Sequence, residues 1–509
     1  MHRRSIRRKH SARWQELEKN ETGLPGYTDT QLMKLQQKLA GYVLQAGEPG
    51  YNDDRMGFMH TYQHFPQLII HCVCESDVVA AVKFARKRKL HVTTRSGGHS
   101  TAGYSVNDQI VIDTSAIAHV LVDAEAKRAR VGPGTNFGTL NRMLDSYDLH
   151  VPGGGCETVC VAGYMQGGGF GFTSRLFGMN CDLVHSVRVV TAEGKILYAN
   201  ETENSDLYWA VRGGTGNQFG VLVEIEYNLV PLKKLTGFGL RFGMKDEAEI
   251  QTVCRVLEDL QKKYTKDGPP KLGLQVLMVY VPTAKKPKAQ KPCLLVRGVY
   301  DGTKAECQAA IGPLLDHVRN RKTQVEIFKR DRYLTLNEVL LQTANPPGLD
   351  LPNVSMNTKP LVDSRIIAEN HTSERWREVV DVLLSAPDKT CFVALELYGG
   401  AINEMPGDAT AFVHRDASLN LFAWAFWTFE AHRDNSVRWL DKFAGIAQAM
   451  GNGRRYQNYP RRGDSGYLEQ YFGDNLERLV KAKQTFDPHN LFAFEQSIPS
   501  VMPPVSKDP

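Results

Sequence analysis

The stretch TRSGGHSTAGYS, residues 94–105, ends a predicted β-strand at Arg95 and passes directly into a glycine turn. Backbone N–H groups that follow one another through glycines form a concave nest for an anion, and such a nest suits a pyrophosphate. His99 lies inside the same loop. The spacing alone leaves a second interpretation open, an ordinary turn that carries a surface histidine.

A second glycine-rich stretch, VPGGGCETVCVAGYMQGGGFGFTSRLFG at 151–178, places Cys156 directly after three glycines. A cysteine reacts as its thiolate, which requires access together with a positive charge or a helix N-terminus nearby. The helix expected to begin near Thr158 would provide that terminus. The alternative interpretation is a small residue in a tight turn.

The glycine spacing excludes two nucleotide-binding loops. Residues 132–138 (GPGTNFG) and 214–220 (GTGNQFG) have the spacing G-x-G-x-x-x-G, whereas the dinucleotide fingerprint is G-x-G-x-x-G. The P-loop pattern G-x-x-x-x-G-K-S/T does not occur. A nicotinamide site of the Rossmann type therefore has little support.

The composition is that of a globular protein. The chain has 509 residues, 42% of them hydrophobic and 23% charged, and a chain of this length needs no disulfide or metal to fold. The formal net charge of +6 is a weak basic excess, so we expect no nucleic-acid partner. No run of roughly 18 apolar residues occurs, so we expect no membrane span.

The N-terminus MHRRSIRRKHSARWQELEKN is basic, but no apolar segment follows it. This pattern argues against a secretory signal and favours a cytoplasmic protein. The nine cysteines are therefore interpreted as reduced thiols. The C-x-C and C-x-x-x-C pairs lack a second pair at zinc-site spacing, so no metal is expected. We expect a monomer or a weak homo-oligomer.

The chain divides by composition into four segments. Residues 1–60 form a polar N-terminal arm, and β-α-β alternation with dense glycine follows over 61–232. Residues 233–450 alternate helices with β-rich runs, as in a second α+β domain. Residues 451–509 are irregular and then helical.

Three local predictions rest on cap and turn chemistry. Ser76 or Asp77 is expected to cap the helix after the first β-α-β strand, and Thr135 is expected to cap a helix that reaches about Tyr147. The run PTAKKPKAQKP, residues 282–292, is predicted to be a loop.

Together the motifs resemble one family. The pair RSGGH and GGGC-x-x-V-x-V-A-G-x-x-x-GGG-x-G is similar to the berberine-bridge-enzyme-like branch of the vanillyl-alcohol-oxidase superfamily of FAD-linked oxidases. The segments DLYWAVRGGTGNQFGVLVEIEYNL (206–229), YQNYPRR (456–462) and YFGDNLERLVKAKQTFDPHNLFAFEQSI (471–498) resemble later signatures of that family. The resemblance covers roughly residues 60–500, in family order.

The resemblance implies an α+β fold and a covalently bound cofactor. Residues 61–232 and 451–509 would form a two-subdomain FAD-binding domain of the vanillyl-alcohol-oxidase type. Residues 233–450 would form a substrate domain with an antiparallel sheet flanked by helices. The FAD would be bicovalent, with His99 bonded to the 8α-methyl carbon and Cys156 bonded to ring carbon 6.

The resemblance also implies further residues that contact the cofactor. For each of them, the alternative interpretation is a role in ordinary turn or strand structure. Those around the pyrophosphate would be Arg95, Ser96, Gly97, Gly98 and Ser100. Those around the flavin ring would be Gly163, Gly167, Gly168, Val221, Tyr456 and Asn458. Val159 occupies the family's oxygen-gate position, where a small branched residue accompanies reaction with O2.

The catalytic base is where the sequence departs from the family pattern. Phe422 stands nearest to the position at which relatives carry a glutamate or glutamine, and Phe170 replaces a tyrosine of some plant members. The remaining candidates are three tyrosines, Tyr456, Tyr459 and Tyr398, with Glu396 as a less favoured helper.

A tyrosine is a poor base unless cations lower its pKa from about 10. Arginines flank Tyr456 and Tyr459 and are expected to lower it; these are Arg454, Arg455, Arg461 and Arg462. A solvated basic loop is the alternative interpretation of these arginines.

From these residues we expect an FAD-linked oxidase acting on an alcohol, carbohydrate or secondary metabolite. Hydride would pass to FAD, with O2 as acceptor and H2O2 as product, so the partners are a small-molecule substrate and O2. A dehydrogenase with another acceptor and a flavin-binding protein without turnover remain as alternatives. The substrate is not named by any motif in the chain.

Overall fold

A computed structural model describes residues 26–283, 286–318, 325–341 and 359–502 of the chain. The first 25 residues of the predicted N-terminal arm lie outside the described residues. In these ranges the strands form three larger sheets and one two-stranded sheet. No helix there is both long and apolar enough to cross a bilayer.

The first sheet contains the predicted β-α-β unit. Its strands are β1 (Tyr42–Gln45), β2 (Leu68–His71), β3 (Val92–Arg95) and β4 (Ile110–Asp113). The order is β1-β2-β4-β3, and β4 pairs in parallel with both β2 and β3. Since parallel strands end at the same edge of a sheet, the loop after β3 leaves the edge at which β2 and β4 also end.

The helix after β2 spans Glu75–Arg88, and its N-cap is Cys74, two residues before the predicted Ser76 and three before Asp77. Asp77 is fully buried instead, and its carboxylate accepts hydrogen bonds from the backbone of Ala40 at 2.8 Å and of the next residue at 3.0 Å. The carboxylate therefore fixes the N-terminal segment to the helix.

The second predicted cap is displaced by a single residue. The helix Phe137–Asp145 is capped by Asn136, whose side chain accepts from the backbone of Thr139 at 2.8 Å. The hydroxyl of Thr135 donates to the carbonyl oxygen of His119 at 3.1 Å. Threonine and asparagine both cap helices, so only the backbone conformation decides which of these two neighbours is the N-cap.

The second sheet continues the glycine-rich half of the chain. The strands in this part of the chain are β5 (Val120–Asp123), β6 (Arg128–Val131), β7 (Leu149–His150), β8 (Val184–Val190), β9 (Ile196–Ala199), β10 (Val221–Asn228) and β11 (Val230–Pro231). Five of these form an antiparallel sheet in the order β5-β6-β10-β8-β9, and β7 pairs with β11. The predicted hairpin of β5 and β6 is present.

The third sheet has seven strands. They are β12 (Lys234–Gly243), β13 (Leu272–Thr283), β14 (Lys286–Tyr300), β15 (Val325–Arg332), β16 (Lys359–Ile367), β17 (Phe392–Leu397) and β18 (Leu419–Trp427). They pair antiparallel in the order β15-β12-β14-β13-β17-β18-β16. One face packs on three long helices, Glu247–Tyr264, Ser373–Leu384 and Arg433–Met450, in one large apolar core.

The run 282–292 is not a simple loop as predicted. Its residues 282–283 and 286–292 form the outer ends of β13 and β14, which pair as far as Thr283 and Lys286. β12 pairs with β14 only up to Cys293, and the backbone of Met244 donates to the carbonyl oxygen of Pro292 at 3.1 Å; beyond Pro292 no described strand pairs with β14 on the β12 side. Proline is tolerated there because an unpaired strand edge needs no backbone donor.

Shorter helices complete the described chain. They are Asp29–Gln36, Tyr51–Asp54, Val161–Gln166, Ser174–Phe177, Ser205–Val211, Lys304–Ala310, Gly312–Asp316, Tyr333–Leu336, Ala401–Glu404, Tyr467–Phe472 and Leu476–Phe486. The last of these packs against Ser205–Val211, so the C-terminal segment shares a core with the second sheet. The predicted α+β class is confirmed, whereas the bounds of the domains stay a prediction.

Candidate active site

A cavity of about 640 Å³ lies between the glycine-rich loops and the open face of the third sheet. One side is formed by the loop after β3 and by the segment 154–172. The other side is formed by side chains of β13, β14, β17 and β18 and by the segment 456–460. All the conspicuous motifs of the sequence therefore meet at one place.

His99 and Cys156 converge on this cavity through a shared partner. The hydroxyl of Thr158 lies 3.0 Å from Nε2 of His99 and 3.4 Å from Sγ of Cys156. His99 belongs to the loop after β3, and Cys156 precedes the helix Val161–Gln166. The fold thus brings an imidazole and a thiol from separate loops to one hydroxyl.

The imidazole of His99 is held in an apolar setting. Its ring stacks on Phe58, with centroids 4.5 Å apart. Burial disfavours the charged imidazolium and lowers the pKa of His99 to about 4. The side chain is therefore a neutral imidazole near pH 7, which leaves a nitrogen lone pair for bond formation.

Most of the predicted cofactor residues line the cavity. They are His99, Cys156, Ser96, Gly97, Gly98, Ser100, Val159, Gly163, Tyr456 and Asn458. The two phenylalanines that depart from the family pattern, Phe170 and Phe422, line it as well.

Arg95 is placed differently from the prediction. Its guanidinium donates to the buried carboxylate of Asp113 at 2.5 Å and to Asp54 at 3.2 Å, so two carboxylates take the place of the expected pyrophosphate. The side chain is only 6% exposed. Arg95 therefore fixes the end of β3 to β4 and to the N-terminal segment, and it orients the loop without forming the cavity wall.

Gly167, Gly168 and Val221 also lie away from the cavity wall. A Cβ on Gly167 would lie 1.9 Å from Oδ1 of Asn458, and a Cβ on Gly168 would lie 2.5 Å from the ring of Phe412. These glycines are needed for close packing of protein segments. Val221 is fully buried at the start of β10, in the core beside the first sheet.

Tyr456 has a hydroxyl that is already engaged. Its oxygen accepts from the backbone N–H groups of Gly169 at 3.1 Å and Phe170 at 3.3 Å, and from the amide of Asn458 at 3.0 Å. Burial raises the pKa of Tyr456. These contacts fasten the 456–460 segment to the loop after the helix Val161–Gln166.

Tyr459 points its hydroxyl at a carboxyl group. It donates to Oε1 of Glu396 at 2.8 Å, and Oε2 of Glu396 accepts from the amide of Asn420 at 3.0 Å. Burial raises the pKa of Glu396 to about 7, and burial together with Glu396 raises the pKa of Tyr459. Both side chains line the cavity, so a phenol and a carboxyl that titrates near neutrality form a proton-transfer pair.

Tyr398 lies behind the cavity wall. Its ring stacks on Phe170, with centroids 5.3 Å apart and planes 11° apart, and Phe170 is the residue that faces the cavity. Burial raises the pKa of Tyr398. The structure therefore separates the three tyrosine candidates by position and by the partner of each hydroxyl.

The flanking arginines do not lower the tyrosine pKa values as expected. Arg455 and Arg461 both donate to the fully buried carboxylate of Asp363, at 3.0 and 2.8 Å. Arg454 and Arg462 pair with Asp474 and Glu495, each at 3.7 Å. The arginines neutralise carboxylates of other segments and so fix the loop that carries the tyrosines.

The residues around the cavity fit FAD. Gly163 and Gly216 line it, and a Cβ built on either would meet nothing within 4 Å, so the wall there is bare backbone open to a flat ring. The loop 96–100 adds consecutive backbone groups for phosphate. The imidazole of His99 and the thiol of Cys156 add two nucleophiles.

Comparison with known families agrees with this fit. Residues 66–200 match the family model of the FAD binding domain, and residues 455–499 match the model described as berberine and berberine like. In both ranges the chain is similar to the berberine-bridge-enzyme-like FAD-linked oxidoreductases. The recognition made from the motifs is confirmed.

Curated relatives of this oxidoreductase resemble it over most of its length. Monolignol oxidoreductase AtBBE-like 13 of Arabidopsis thaliana is 28% identical, over 86% of this chain and 84% of the relative. The carbohydrate oxidase of Microdochium nivale is 27% identical, over 89% of this chain and 91% of the relative.

A solved structure shares the fold of this oxidoreductase. It is glucooligosaccharide oxidase from Acremonium strictum, described with a 6-S-cysteinyl, 8α-N1-histidyl FAD, with a TM-score of 0.78 at 20% identity over 92% of this chain and all of that chain. The predicted α+β fold with an antiparallel sheet flanked by helices is thereby confirmed.

Several residues in or beside the cavity carried no prediction. Thr158 lies two residues after Cys156 in the quoted motif, and its position there was the available signal. Asn217, whose amide donates to Thr94 at 2.5 Å, lies within the GTGNQFG run that was used only to exclude a Rossmann site. Gln275 and Arg297 of β13 and β14 belong to no motif, so only the sheet register could place them at the cavity.

Proposed function

We propose that this protein oxidises a CH–OH group of a small molecule with FAD, reduces O2 to H2O2, and holds its flavin by bonds to His99 and Cys156. The observation that carries the proposal is that His99 and Cys156 line the same cavity as the Tyr459–Glu396 pair, and that both lie against the hydroxyl of Thr158. The net reaction is an alcohol and O2 giving a carbonyl compound and H2O2, so two electrons and two protons are transferred.

Tyr459 is the group that takes the proton of the substrate hydroxyl in this proposal. Its own proton already lies on a hydrogen bond to Glu396 at 2.8 Å. Since burial makes a free tyrosinate unfavourable, Tyr459 accepts a proton only as it gives its own to Glu396. Glu396, with a pKa near 7, is the final holder of the proton.

Bound FAD supplies the acceptor for the hydrogen that leaves the substrate carbon with two electrons. Ser96, Gly97, Gly98 and Ser100 would bind the pyrophosphate through the loop after β3. Gly163 and Asn458 would contact the ring. The amide of Asn458 donates to the carbonyl oxygen of Tyr164 and to the hydroxyl of Tyr456, which holds it against the cavity wall.

Oxygen use is proposed from Val159. The residue is partly buried, packs against the core of the second sheet and lines the cavity. A valine leaves more space than leucine for a small molecule such as O2. We expect one H2O2 for each substrate molecule oxidised, measured with a peroxidase-coupled assay on a panel of sugars, aryl alcohols and secondary metabolites.

The Val159→Leu variant tests whether Val159 controls the access of O2 to the flavin. It should slow reoxidation of the reduced protein by O2 while leaving the rate of anaerobic flavin reduction nearly unchanged. The dehydrogenase alternative would be favoured if the wild type oxidised its substrate only with a dye as electron acceptor and produced no peroxide. That result would contradict the proposed reaction with O2.

The pH dependence follows from Glu396. Its carboxyl has a pKa raised to about 7, so it is protonated below that pH and cannot take the proton of Tyr459. The rate of flavin reduction should therefore rise as the pH passes through about 7, and Glu396→Gln should give a slow rate without this step. Rapid mixing across pH 5 to 9 (roughly two units on either side) measures it.

Glu224→Gln is the control for that experiment. Glu224 lies on β10, partly buried and 3.2 Å from His119, so the same change is made outside the cavity. Its pH profile should match the wild type. A step near pH 7 that persists in Glu396→Gln would assign the titration to another group.

A further inference from the structure

The hydroxyl of Thr158 lies between the two proposed attachment residues. It is 3.0 Å from Nε2 of His99 and 3.4 Å from Sγ of Cys156. In the part of the chain that the structure describes, this hydroxyl has no other hydrogen-bond partner. Any proton that moves between the imidazole and the thiol therefore has Thr158 as its nearest relay.

The backbone around Thr158 is fixed on both sides. The carbonyl oxygens of Glu157 and Val159 accept hydrogen bonds, each at 3.0 Å, from the first two N–H groups of the helix Phe137–Asp145. The first N–H groups of a helix have no partner within the helix, so these bonds satisfy both elements. The position of Thr158 is therefore set by its backbone, although its side chain is exposed.

The ring of His99 is held by two contacts. Phe58 stacks on it with centroids 4.5 Å and planes 22° apart, and Thr158 contacts Nε2. Nδ1 has no hydrogen-bond partner among the described residues. A neutral imidazole carries one N–H and one lone pair, and the hydrogen bond at one nitrogen decides which of them the other nitrogen has. The state of Nδ1 is therefore decided at Thr158.

The hydroxyl of Thr158 serves both neighbours in only one arrangement, because it has one hydrogen to donate. If this hydrogen points to Nε2 of His99, the imidazole proton lies on Nδ1 and Sγ of Cys156 receives no donor. If Nε2–H donates to the hydroxyl oxygen instead, Nδ1 keeps its lone pair and the hydroxyl hydrogen can point to Sγ. A donated hydrogen bond favours the thiolate, which is the nucleophilic form of cysteine.

We propose that Thr158 is a positioning residue for attachment of the flavin. Its hydroxyl accepts from Nε2 of His99 and donates to Sγ of Cys156, so that Nδ1 and the thiolate are the atoms that bond to FAD. The inference rests on the proposed function, since the two covalent bonds are taken from there. One hydroxyl then prepares two nucleophiles that come from separate loops.

Each attachment replaces two bonds to hydrogen by one bond to the flavin. At His99 the imidazole loses the hydrogen of Nε2 and the 8α-methyl carbon loses one hydrogen as the N–C bond forms. At Cys156 the thiol and ring carbon 6 each lose one hydrogen as the S–C bond forms. Each step passes two protons and two electrons to FAD, and O2 takes them up as H2O2. In the proposed arrangement, the proton that leaves His99 already lies on a hydrogen bond to Thr158.

The first test identifies the nitrogen that carries the flavin. Cys156→Ala holoprotein, which would hold its flavin through His99 alone, is digested completely, and NMR of the released histidyl flavin distinguishes a bond at Nδ1 from one at Nε2. We expect Nδ1. A bond at Nε2 would overturn the inference, because that is the nitrogen that Thr158 is proposed to occupy.

The second test measures the rate of attachment. Full-length protein from a riboflavin-starved host is mixed with saturating FAD in air, and the flavin retained in the acid pellet is followed with time. Thr158→Val, which replaces the hydroxyl by a methyl group, should slow attachment by about 3- to 10-fold, as expected for the loss of a hydrogen bond. Thr158→Ser, which keeps the hydroxyl, should stay within about twofold of the wild type.

The two bonds are separated by repeating Thr158→Val in the Cys156→Ala and in the His99→Ala protein. The histidyl bond and the cysteinyl bond should both form more slowly. Slowing of only one bond, or of neither, would overturn the shared role of Thr158. The affinity for FAD of the His99→Ala, Cys156→Ala protein, measured by flavin fluorescence, should not change with Thr158→Val. A lower affinity would assign Thr158 a purely structural role and overturn the inference.

Thr139→Val is the control, because it makes the same change on the helix Phe137–Asp145, outside the cavity wall. The backbone N–H of Thr139 donates to Asn136, whereas its hydroxyl has no hydrogen-bond partner among the described residues. Its attachment rates should equal those of the wild type. If Thr158→Val does not fold, the assignment of the bonded nitrogen in the first test still decides.

The acid pellet separates this inference from the proposed function. Wild-type protein that loses all its flavin to the supernatant would end the covalent part of the proposed function, whatever the Thr158 variants show. Wild-type protein that retains its flavin, with Thr158→Val attaching it equally fast, would end this inference alone.

Discussion

Replacing Tyr459 by phenylalanine should slow anaerobic flavin reduction by about 10²- to 10⁴-fold, the usual contribution of a general base. The change removes the hydroxyl that donates to Glu396 at 2.8 Å and leaves the ring, which packs on Phe422 with centroids 4.8 Å apart. The flavin content should therefore stay close to that of the wild type. Stopped-flow absorbance at saturating substrate measures the reduction step apart from reoxidation.

Tyr456→Phe is the matched control, because it removes the neighbouring hydroxyl, on a ring 5.1 Å from that of Tyr459. That hydroxyl accepts from the buried N–H groups of Gly169 and Phe170, which would lose their partner. A buried donor without a partner costs about 1–3 kcal/mol, so this variant should lose stability and flavin content. Its holoprotein fraction should keep most of the reduction rate.

The opposite result would reassign the base. If Tyr456→Phe loses the reduction rate at full flavin content and Tyr459→Phe keeps it, the Tyr459–Glu396 pair is not the proton acceptor. Calorimetric or thermal unfolding of both variants gives the stability difference independently of the kinetics.

The double change His99→Ala with Cys156→Ala should release all of the flavin when the protein is precipitated with acid. Each single variant should keep part of the flavin in the pellet through its remaining bond, and the wild type should keep all of it. The physical reason is that acid unfolding disrupts every non-covalent contact of the cavity but leaves a covalent bond intact. Absorbance of the supernatant and mass spectrometry of flavin-bearing peptides measure the result.

Cys160→Ala is the control for this experiment. Cys160 also lines the cavity, and it is the N-cap of the helix Val161–Gln166. Burial raises the pKa of its thiol to about 12, so it is not expected to react. Its pellet should stay yellow. Flavin that remains bound to the acid pellet of the double variant would show that other residues hold it.

The linear sequence was enough to single out the loops that carry His99 and Cys156, whose role as attachment residues stays a prediction. His99 and Cys156 lie in motifs whose glycines and neighbours are local, and the structure brings both to one cavity. The sequence did not reveal the ion pairs of Arg95, because its partners Asp54 and Asp113 come from other strands and segments. An arginine at a strand end is equally suited to a phosphate and to a carboxylate, and only the neighbours decide between them.

The choice among the tyrosines shows the same limit. Tyr456 and Tyr459 are three positions apart in one motif, so the pattern treats them alike. Their hydroxyls differ because one meets backbone donors near Gly169 and the other meets Glu396 on β17. The arginines beside them were expected to lower the tyrosine pKa values, but they pair with carboxylates such as Asp363.

The amino-acid order by itself determined the α+β class, the FAD-binding motifs and the two candidate attachment residues, because these depend on glycine backbone freedom and on side chains close together in the chain. Only the tertiary structure decided which hydroxyl faces a carboxyl group and which hydroxyl meets an imidazole. Tyr459 and Glu396, like Thr158 and His99, are brought together by the packing of segments that are far apart in the chain. Protonation and charge pairing depend on distance and burial in space, and these quantities are set after the chain has folded.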